Sequence, residues 1–396
     1  MRFIFLTLGY TPDLDGGGFR YATEVAELLA SRGHEVHALF PNPTDAAPTY
    51  ERRSDVELYR VSRKGTGFLA RWNSANREAR KVVETLLLNR TPTLLFLHHA
   101  YLGTALKGLP YVMILQGPWA FEHRFAQLGK AKGLIRRRVD SIICAVMHRV
   151  EYRAVSRARR LLVASEYSKK QLPLWHPGPQ GYDRIEVVGG GADFNRFYPV
   201  KNRQSLRHEQ GLAEGSFLFL AVRRLDPRMG LTHLVEAFIQ IAKRYPQAQL
   251  AIAGKGSQRE ALQASIDASG LGSRIRLLGF VSEEVLPRLY ASADCVLMPS
   301  LDLEGFGLST AEALASGTPV LASRSGANPE LVEPLGKSLL FNPADTESLR
   351  SALQGVLDGS LPLPSRQRCA EYARIAFRWD RPSNAIEQAW NDHALR

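Results

Sequence analysis

Short, continuous runs of apolar residues alternate along this chain with longer stretches in which apolar residues recur at helical spacing. Runs of the first kind are typical of strands buried on both faces of a parallel sheet, and the second kind predicts amphipathic helices. The predicted strands span 3–8, 36–40, 94–97, 112–115, 161–164, 186–188, 217–222, 250–253, 275–278, 295–298, 320–322 and 339–341, and the clearest helices span 231–244, 257–269, 283–292, 309–315 and 346–357. This alternation predicts an α/β fold made of two Rossmann-like, doubly wound domains.

Glycine and proline mark the turns between these elements. Gly16, Gly17 and Gly18 follow the first strand, a helical pattern comes next, and Gly33 suits the end of that helix. Strand, glycine loop, helix and strand form a βαβ unit. The most broken stretch, 173–181, precedes a domain crossing that we place near residue 190. We therefore predict domains at 1–189 and 190–365, with a helical tail at 366–396 that packs back on the first domain.

Composition narrows the class of protein. The chain has 396 residues, 45% of them hydrophobic, and its three cysteines are far apart and lack metal-ligand spacing. Such cysteine usage favours a reducing compartment over a disulfide framework. The first apolar run is too short for a signal peptide, and none approaches the roughly 20 residues that span a membrane, so we expect a cytoplasmic protein. The net charge of +12 is compatible with an anionic partner but does not indicate which kind.

The strongest chemical signal lies in residues 299–312. Glu304 ends a loop after a strand, and Glu312 lies in the following helix. Between them, glycines allow close backbone approach, and the first amides of the helix form a site for a diphosphate. The carboxylates can accept hydrogen bonds from sugar and ribose hydroxyls, so the motif fits a nucleotide sugar. The structural alternative is a helix start with acidic residues that complement the helix dipole.

A second signal is a cluster of arginines at another strand-to-helix connection. Arg223, Arg224 and Arg228 lie at the carboxyl end of the strand 217–222. Arginines placed there can clamp a diphosphate and neutralise the charge that develops on a leaving nucleotide. The alternative for any one of them is a solvated surface side chain.

In order and spacing, these motifs resemble the retaining nucleotide-sugar glycosyltransferases of family 4, which have the GT-B fold with two domains facing across a cleft. The resemblance covers most of the chain. It is carried by residues 16–18, 165–170, 185–197, 253–256, 278–281, 299–312, 316–320 and 328–330.

The resemblance implies that Glu312 binds the ribose and Glu304 the transferred sugar, that Arg224 binds phosphate, and that the base stacks near Phe280. The implied donor-binding residues are Gly17, Gly18, Arg224, Arg228, Gly254, Lys255, Phe280, Val281, Glu304, Gly305, Phe306, Gly307, Leu308, Ser309 and Glu312. Family frequency favours a UDP-hexose or UDP-N-acetylhexosamine as co-substrate, with no further cofactor. The implied acceptor is a hydroxyl of a small-molecule, aminocyclitol or lipid-linked acceptor.

Two positions depart from the family pattern. Met229 stands where the family usually has a lysine that binds phosphate. A subgroup of the family has arginine followed by methionine at this point. We therefore assign the second phosphate-binding charge to Arg228. Gln116 stands where the subgroup usually has histidine near the reacting sugar. Glutamine can bind a hydroxyl but cannot titrate, which argues against a general base there. The predicted catalytic residues are Arg224, Arg228, Glu304 and Gln116.

Candidates for the acceptor side follow two strands of the first half. His98 and His99 end the strand 94–97, and strand carboxyl ends are where ligands bind in open α/β sheets. Because side chains alternate along a strand, we expect one of the two histidines to face the ligand. Trp119, Glu122 and Arg124 follow the next strand and complete the acceptor-side set.

Other features carry weaker alternatives. Asp13 and Asp15 alone would make an incomplete metal site, so we expect no bound metal ion. The arginine-rich stretch 130–160 could contact an anionic membrane surface, but we favour a solvated helix face above a core stripe, because any core-facing helix shows such a stripe.

Two competing functions stay open from the sequence. One is a nucleotide-sugar 2-epimerase or hydrolase on the same fold. The other is a basic binding protein, which would leave residues 299–312 unexplained. We see no RNA-binding motif and expect no nucleic-acid partner.

Overall fold

The structure, a computed structural model, describes residues 1–13, 16–44, 49–127, 134–178, 185–209 and 211–393. The chain divides into two units. One comprises Met1–Arg124, Lys130–Gly190 and Trp379–Arg396, and the other comprises Phe125–Gly129 and Gly191–Arg378. The main division falls next to the predicted crossing near residue 190.

The first unit is built on a largely parallel sheet. Within its described residues the strands are β1 Arg2–Leu6, β2 Glu35–Pro41, β3 Tyr50–Arg53, β4 Val56–Val61, β5 Thr93–Leu97, β6 Val112–Leu115, β7 Arg160–Val163 and β8 Ile185–Val187. They are ordered β3-β4-β2-β1-β5-β6-β7-β8, and only the β3–β4 pair is antiparallel. Every residue of β1, β5 and β6 is buried, which explains their uninterrupted apolar runs.

The helices that accompany this sheet occur between its strands and at the end of the chain. They are α1 Gly17–Ser31, α2 Gly67–Leu87, α3 Trp119–Ala126, α4 Leu134–Arg157, α5 Glu166–Trp175 and α14 Asp380–His393.

The second unit has a fully parallel sheet over its described residues. Its strands are β9 Phe217–Val222, β10 Ala248–Ala253, β11 Ile275–Gly279, β12 Cys295–Met298, β13 Val320–Ser323 and β14 Leu340–Phe341, in the order β11-β10-β9-β12-β13-β14. Its helices are α6 Arg203–Glu209, α7 Leu231–Ala242, α8 Arg259–Ser269, α9 Leu286–Ser292, α10 Leu308–Ala315, α11 Asn328–Val332, α12 Thr346–Asp358 and α13 Arg366–Ala376. Strand order reverses between β9 and β12, and ligands bind at such switch points in open α/β sheets.

These parallel sheets confirm the predicted α/β class, but the tail needs a correction. We predicted that the whole helical tail at 366–396 packs back on the first domain. Instead, α13 packs against α10 in the second unit, whereas α14 packs against α1 and β5 in the first. Arg32 pairs with Asp380 and Glu387 at 2.9 Å each, and these ion pairs hold α14 to the end of α1.

Candidate active site

The loop between β12 and α10 carries the two predicted carboxylates. Gly307 precedes α10 with a φ of 95°, a left-handed conformation that a side chain would strain. Glu304 and Glu312 are both buried although both are acidic. Acidic residues are seldom buried without partners, so their surroundings indicate their roles.

Only one of the two carboxylate oxygens of Glu304 accepts hydrogen bonds from the described residues. Its Oε2 accepts hydrogen bonds from the Ser300 hydroxyl, at 2.9 Å, and from the Arg223 guanidinium. Within the described part of the chain, no group donates to Oε1. Burial alone would raise the pKa of Glu304, but Arg223 and Arg228 outweigh it and hold the pKa below its ordinary value. The site therefore presents an ionised carboxylate with one free acceptor oxygen.

Glu312 lies one turn into α10. Tyr290 on α9, which is fully buried, donates its hydroxyl to Oε2 of Glu312 at 3.0 Å. This bond fixes the carboxylate beside the start of the helix. Ser309, in the first turn, donates its hydroxyl to the carbonyl of Val222 at 3.2 Å and so ties α10 to the end of β9.

The three arginines after β9 have three different environments. Arg223 is buried and pairs with Glu304, whereas the side chain of Arg224 is 54% exposed and lies 3.6 Å from Asp226. Arg228 is buried, and its Nη1 donates to the carbonyl of Leu303 at 3.1 Å. The idea that Arg228 is a solvated side chain is therefore wrong, and Arg224 is the arginine most accessible to a ligand.

Glycines allow the loops at this sheet edge to touch. A Cβ on Gly254 would lie 1.8 Å from the carbonyl oxygen of Arg223, and one on Gly230 would lie 1.9 Å from that of Pro299. In addition, the amide of Leu225 donates to the carbonyl of Lys255 at 2.9 Å. The loops after β9, β10 and β12 are thus brought together by main-chain contacts.

The predicted base-stacking position lies beyond β11. Phe280 is 45% exposed, and the ammonium of Lys255 lies 4.6 Å from the centre of its ring. Val281 is half-buried beside it. Gly305, Phe306 and Leu308 are also half-buried, and the Phe306 ring contacts Phe377 edge-on at 6.0 Å.

In the first unit, Gln116 links the glycine loop to His98. Gln116 Nε2 lies 3.0 Å from Nε2 of His98, whose Nδ1 lies 3.2 Å from the Thr7 hydroxyl, and that hydroxyl donates to the carbonyl of Gly9 at 3.1 Å. The hydroxyl has a single proton, so it must accept from Nδ1–H. His98 Nε2 then accepts from the Gln116 amide.

This order of donors leaves the Gln116 oxygen facing the glycine loop. A Cβ on Gly18 would lie 3.1 Å from Oε1 of Gln116, a tight contact that would require the Gln116 side chain to shift. Burial lowers the pKa of His98 to about 3, with a smaller effect from His99. The whole chain of groups is therefore neutral at physiological pH. Gly17, one residue earlier, is exposed at the start of α1.

Aromatic rings surround the predicted acceptor residues. Trp119 contacts His99 at 5.2 Å, Tyr101 at 5.8 Å and Phe68 at 5.9 Å between ring centres. His99 accepts the amide of Tyr101 through Nδ1 at 3.1 Å, and burial lowers its pKa to about 4. Both histidines thus have partners within the unit, His98 at Gln116 and His99 at Trp119.

The remaining residues of this set differ in environment. The carboxylate of Glu122 folds back on Gly117, where a Cβ would lie 2.9 Å from its Oε1. Arg124 is exposed. The carboxylate of Glu151 on α4 accepts the amide of Trp119 at 3.0 Å and anchors the start of α3.

Asp13 binds arginine in this structure. Its two oxygens contact Arg53 at 3.3 Å and Arg60 at 2.5 Å. Asp15 lies outside the described residues. Over the part of the chain that the structure covers, no group of three or more His, Cys, Asp or Glu side chains is arranged to hold a metal.

The basic stretch forms α4, whose outer face is described from residue 137 onward. Residues at spacings of three and four form an exposed stripe, namely Arg138, Ile142, Ala145, Arg149 and Arg153. Ile142 is 61% exposed. Among the described helices, none is both long and apolar enough to cross a bilayer.

Sequence reasoning missed several partners of the site. Ser300 and Tyr290 orient the two carboxylates, and Thr7 fixes the protonation of His98. Arg223 was recognised as a charge near the sheet edge but not as the partner of Glu304. Alternation along a strand offered one signal, because consecutive arginines at a strand end point in opposite directions.

Comparison with known proteins places the chain in a family. The model of glycosyl transferases group 1 matches residues 202–376, and that of glycosyltransferase family 4 matches residues 15–196. The chain is similar to an uncharacterized glycosyltransferase of Methanocaldococcus jannaschii, with 26% identity over 90% of this chain and 89% of the relative.

It is also similar to a GDP-mannose-dependent phosphatidylinositol monomannoside mannosyltransferase of Mycolicibacterium smegmatis, with 32% identity over 44% of this chain and 47% of the relative. The latter match thus spans about half of each protein.

Solved structures show the same fold. A sucrose-phosphate synthase from Thermosynechococcus elongatus superimposes with a TM-score of 0.82 at 22% identity, covering 99% of this chain and 98% of the other. Anabaena HepE in complex with UDP-glucose gives a TM-score of 0.75 at 22% identity, covering 99% of this chain and 100% of HepE. These likenesses establish the GT-B architecture of two Rossmann-like domains.

Proposed function

We propose that this chain, which belongs to the family 4 glycosyltransferases with the GT-B fold, transfers a hexose or amino-hexose from a UDP-sugar to a hydroxyl acceptor, with retention of configuration and without a metal ion. Membership of the family and glycosyl transfer are supported by both family models. The donor, the acceptor and the stereochemistry are our inference.

The observation that carries the proposal is the pair of buried carboxylates at the switch point of the second sheet. Glu304 presents one free, ionised oxygen that can accept a sugar hydroxyl. Glu312, fixed by Tyr290, can accept the ribose hydroxyls, and the first amides of α10 can bind the phosphates between them. Arg224, half-exposed, adds a positive charge for the leaving diphosphate.

Proton transfer in this proposal needs no protein base. As the bond from the anomeric carbon to the phosphate breaks, the acceptor oxygen bonds the same face of that carbon and its proton passes to the leaving phosphate. Gln116 cannot titrate, and His98 and His99 stay neutral because burial lowers the pKa of each. Gln116 is left to bind a hydroxyl through Oε1.

The base is proposed as uracil, and guanine is the competing candidate. HepE binds UDP-glucose, whereas the Mycolicibacterium relative depends on GDP-mannose. Calorimetry of the purified protein with UDP and with GDP tests this choice. Tighter binding of GDP would reject the uracil assignment.

Transfer itself is tested by incubating the protein with UDP- and GDP-hexoses, with and without a panel of hydroxyl acceptors. Mass spectrometry identifies the product, and the proton coupling at its anomeric carbon gives the stereochemistry. An epimerase would convert the donor without any acceptor, and a hydrolase would release free sugar. Either result, or an inverted product, would contradict the proposal.

We further propose that the α4 stripe contacts an anionic membrane surface, which would suit a lipid-linked acceptor at the inner face. Arginine beside an exposed isoleucine combines charge attraction with apolar insertion. The test is co-sedimentation with phosphatidylglycerol vesicles. Arg149→Glu with Arg153→Glu should abolish binding, whereas Lys169→Glu with Lys170→Glu on α5, also exposed, makes the same charge change and should retain it.

A further inference from the structure

Arg223 places a buried guanidinium next to one oxygen of Glu304. Its side chain is only 6% exposed, and it also contacts the Ser300 hydroxyl at 2.8 Å and the Met229 sulfur at 2.9 Å. The Met298 sulfur lies 3.5 Å from its Nη1. These contacts hold the guanidinium away from solvent, so it cannot serve a ligand in the manner of the exposed Arg224.

We propose that Arg223 is a positioning residue for the transferred sugar. Together with Ser300, it occupies Oε2 of Glu304 and leaves Oε1 as the one oxygen able to accept a sugar hydroxyl. This inference rests on the proposed function of Glu304. It assigns Arg223 to sugar recognition, and it separates that residue from the phosphate-binding charges.

The energetics favour a role beyond packing. Removing two charges from water is costly, and a buried ion pair is often no more stabilising than apolar residues of similar volume. Two neighbours of this guanidinium, Met229 and Met298, are apolar side chains, so this part of its surroundings does not itself require a charge. The positive charge of Arg223 is therefore better explained by its effect on Glu304, whose Oε2 it holds.

The main chain of Glu304 is held independently of Arg223. Its carbonyl accepts the amide of Ala327 at 2.8 Å, and a Cβ on Gly326 would lie 2.5 Å from that same carbonyl oxygen. The Ser300 carbonyl accepts the Ser323 hydroxyl at 2.6 Å. Replacing Arg223 should therefore release the carboxylate without moving the loop.

The positioning role predicts a change in pH dependence. The charged groups that face Glu304 are Arg223 at the end of β9 and Arg228 in the turn that follows, while Ser300 contributes a neutral hydroxyl from the loop itself. Without Arg223, only Arg228 offsets the effect of burial, which raises the pKa of Glu304. That pKa should therefore be higher in a variant that lacks Arg223. The ionised fraction then falls on the acid side and recovers as pH increases.

The experiment compares wild type with Arg223→Met, Arg223→Lys and Ser300→Ala. For Arg223→Met we expect kcat with the nucleotide sugar to fall roughly 10- to 100-fold at neutral pH, the loss of one charge-assisted hydrogen bond. The acid limb of the kcat profile should move to higher pH. The Kd for UDP alone should stay within about twofold, and Arg223→Lys should regain part of kcat.

Two outcomes would overturn the proposal. One is an acid limb of the kcat profile that stays at its wild-type pH, and the other is a Kd for UDP that worsens as much as kcat falls, which would make Arg223 a phosphate ligand. If Arg223→Met fails to fold, Ser300→Ala supplies the same comparison, with a smaller effect from the loss of a neutral donor.

A substrate-free readout separates this inference from the proposed function. Carbon-13 NMR of labelled glutamate carboxyls reports the pKa of Glu304 in wild type and in Arg223→Met. If wild type turns over no nucleotide sugar but the pKa rises in the variant, the proposed function fails while the pairing stands. An unchanged pKa rejects the pairing whatever the turnover.

Discussion

Replacing Glu312 with alanine should weaken binding of the nucleoside diphosphate. The buried carboxylate is fixed by the Tyr290 hydroxyl at 3.0 Å, so it is pre-ordered to accept ribose hydroxyls. A charge-assisted hydrogen bond contributes about 1.5–3 kcal/mol, which corresponds to a roughly 10- to 150-fold increase in Kd. Isothermal titration calorimetry with UDP measures this directly.

A double variant separates affinity from stability. Glu312→Ala also removes the acceptor for Tyr290, and the loss of that buried hydrogen bond should lower the free energy of unfolding by about 1 kcal/mol. Adding Tyr290→Phe removes the hydroxyl that lost this acceptor, and any stability regained in this way should come without regained affinity. Glu312→Gln keeps the shape of the side chain but removes its charge. Its Kd for UDP should lie between those of the wild type and the alanine variant.

The reasoning would be refuted by an unchanged Kd for UDP in a folded Glu312→Ala protein. It would also fail if the double variant recovered affinity together with stability, because the carboxylate would then act only through the packing of α9 and α10.

Three further predictions concern the metal, the arginines after β9 and His98. On the proposed function, turnover should survive EDTA, because arginines and helix amides would neutralise the phosphates; loss that manganese restores would revive a metal role near Asp13. Arg228→Ala should lower kcat more than it raises the donor KM, and Met229→Lys in that background should restore part of the rate; a change in kcat of less than about twofold would remove Arg228 from the clamp. Because the folded pKa of His98 is lowered to about 3, its contribution to stability is complete above its ordinary value of 6.5 and is lost as pH falls towards 3; His98→Gln should flatten the fall in Tm over that range.

The elements of the fold could be predicted because burial on both faces leaves a clear apolar signature. The strands of the second sheet match their predicted positions to within a few residues. Short helices such as α6 and α11 carry too few turns for a periodic pattern and were missed. The tail was treated as one segment because helical periodicity does not reveal which surface a helix covers.

The candidate site could be predicted only in part. Glu304 and Glu312 were recognisable because a strand end, glycines and a helix start occur together in sequence. Their partners were not, since Arg223 and Tyr290 come from other elements. The bond between His98 and Gln116 likewise depends on β5 lying beside β6, which the local sequence does not specify.

The glycine contacts between loops bear on how this enzyme could be engineered. Because Gly230 and Gly254 admit no side chain, the main-chain positions at this sheet edge are set by backbone contact, and substitutions at either glycine should distort the whole edge. Phe280 and the Lys255 ammonium project from that edge, and the ring of Phe280 is substantially exposed. Libraries that test the proposed base position are therefore best confined to these two side chains, where substitutions leave the backbone contacts between the loops in place.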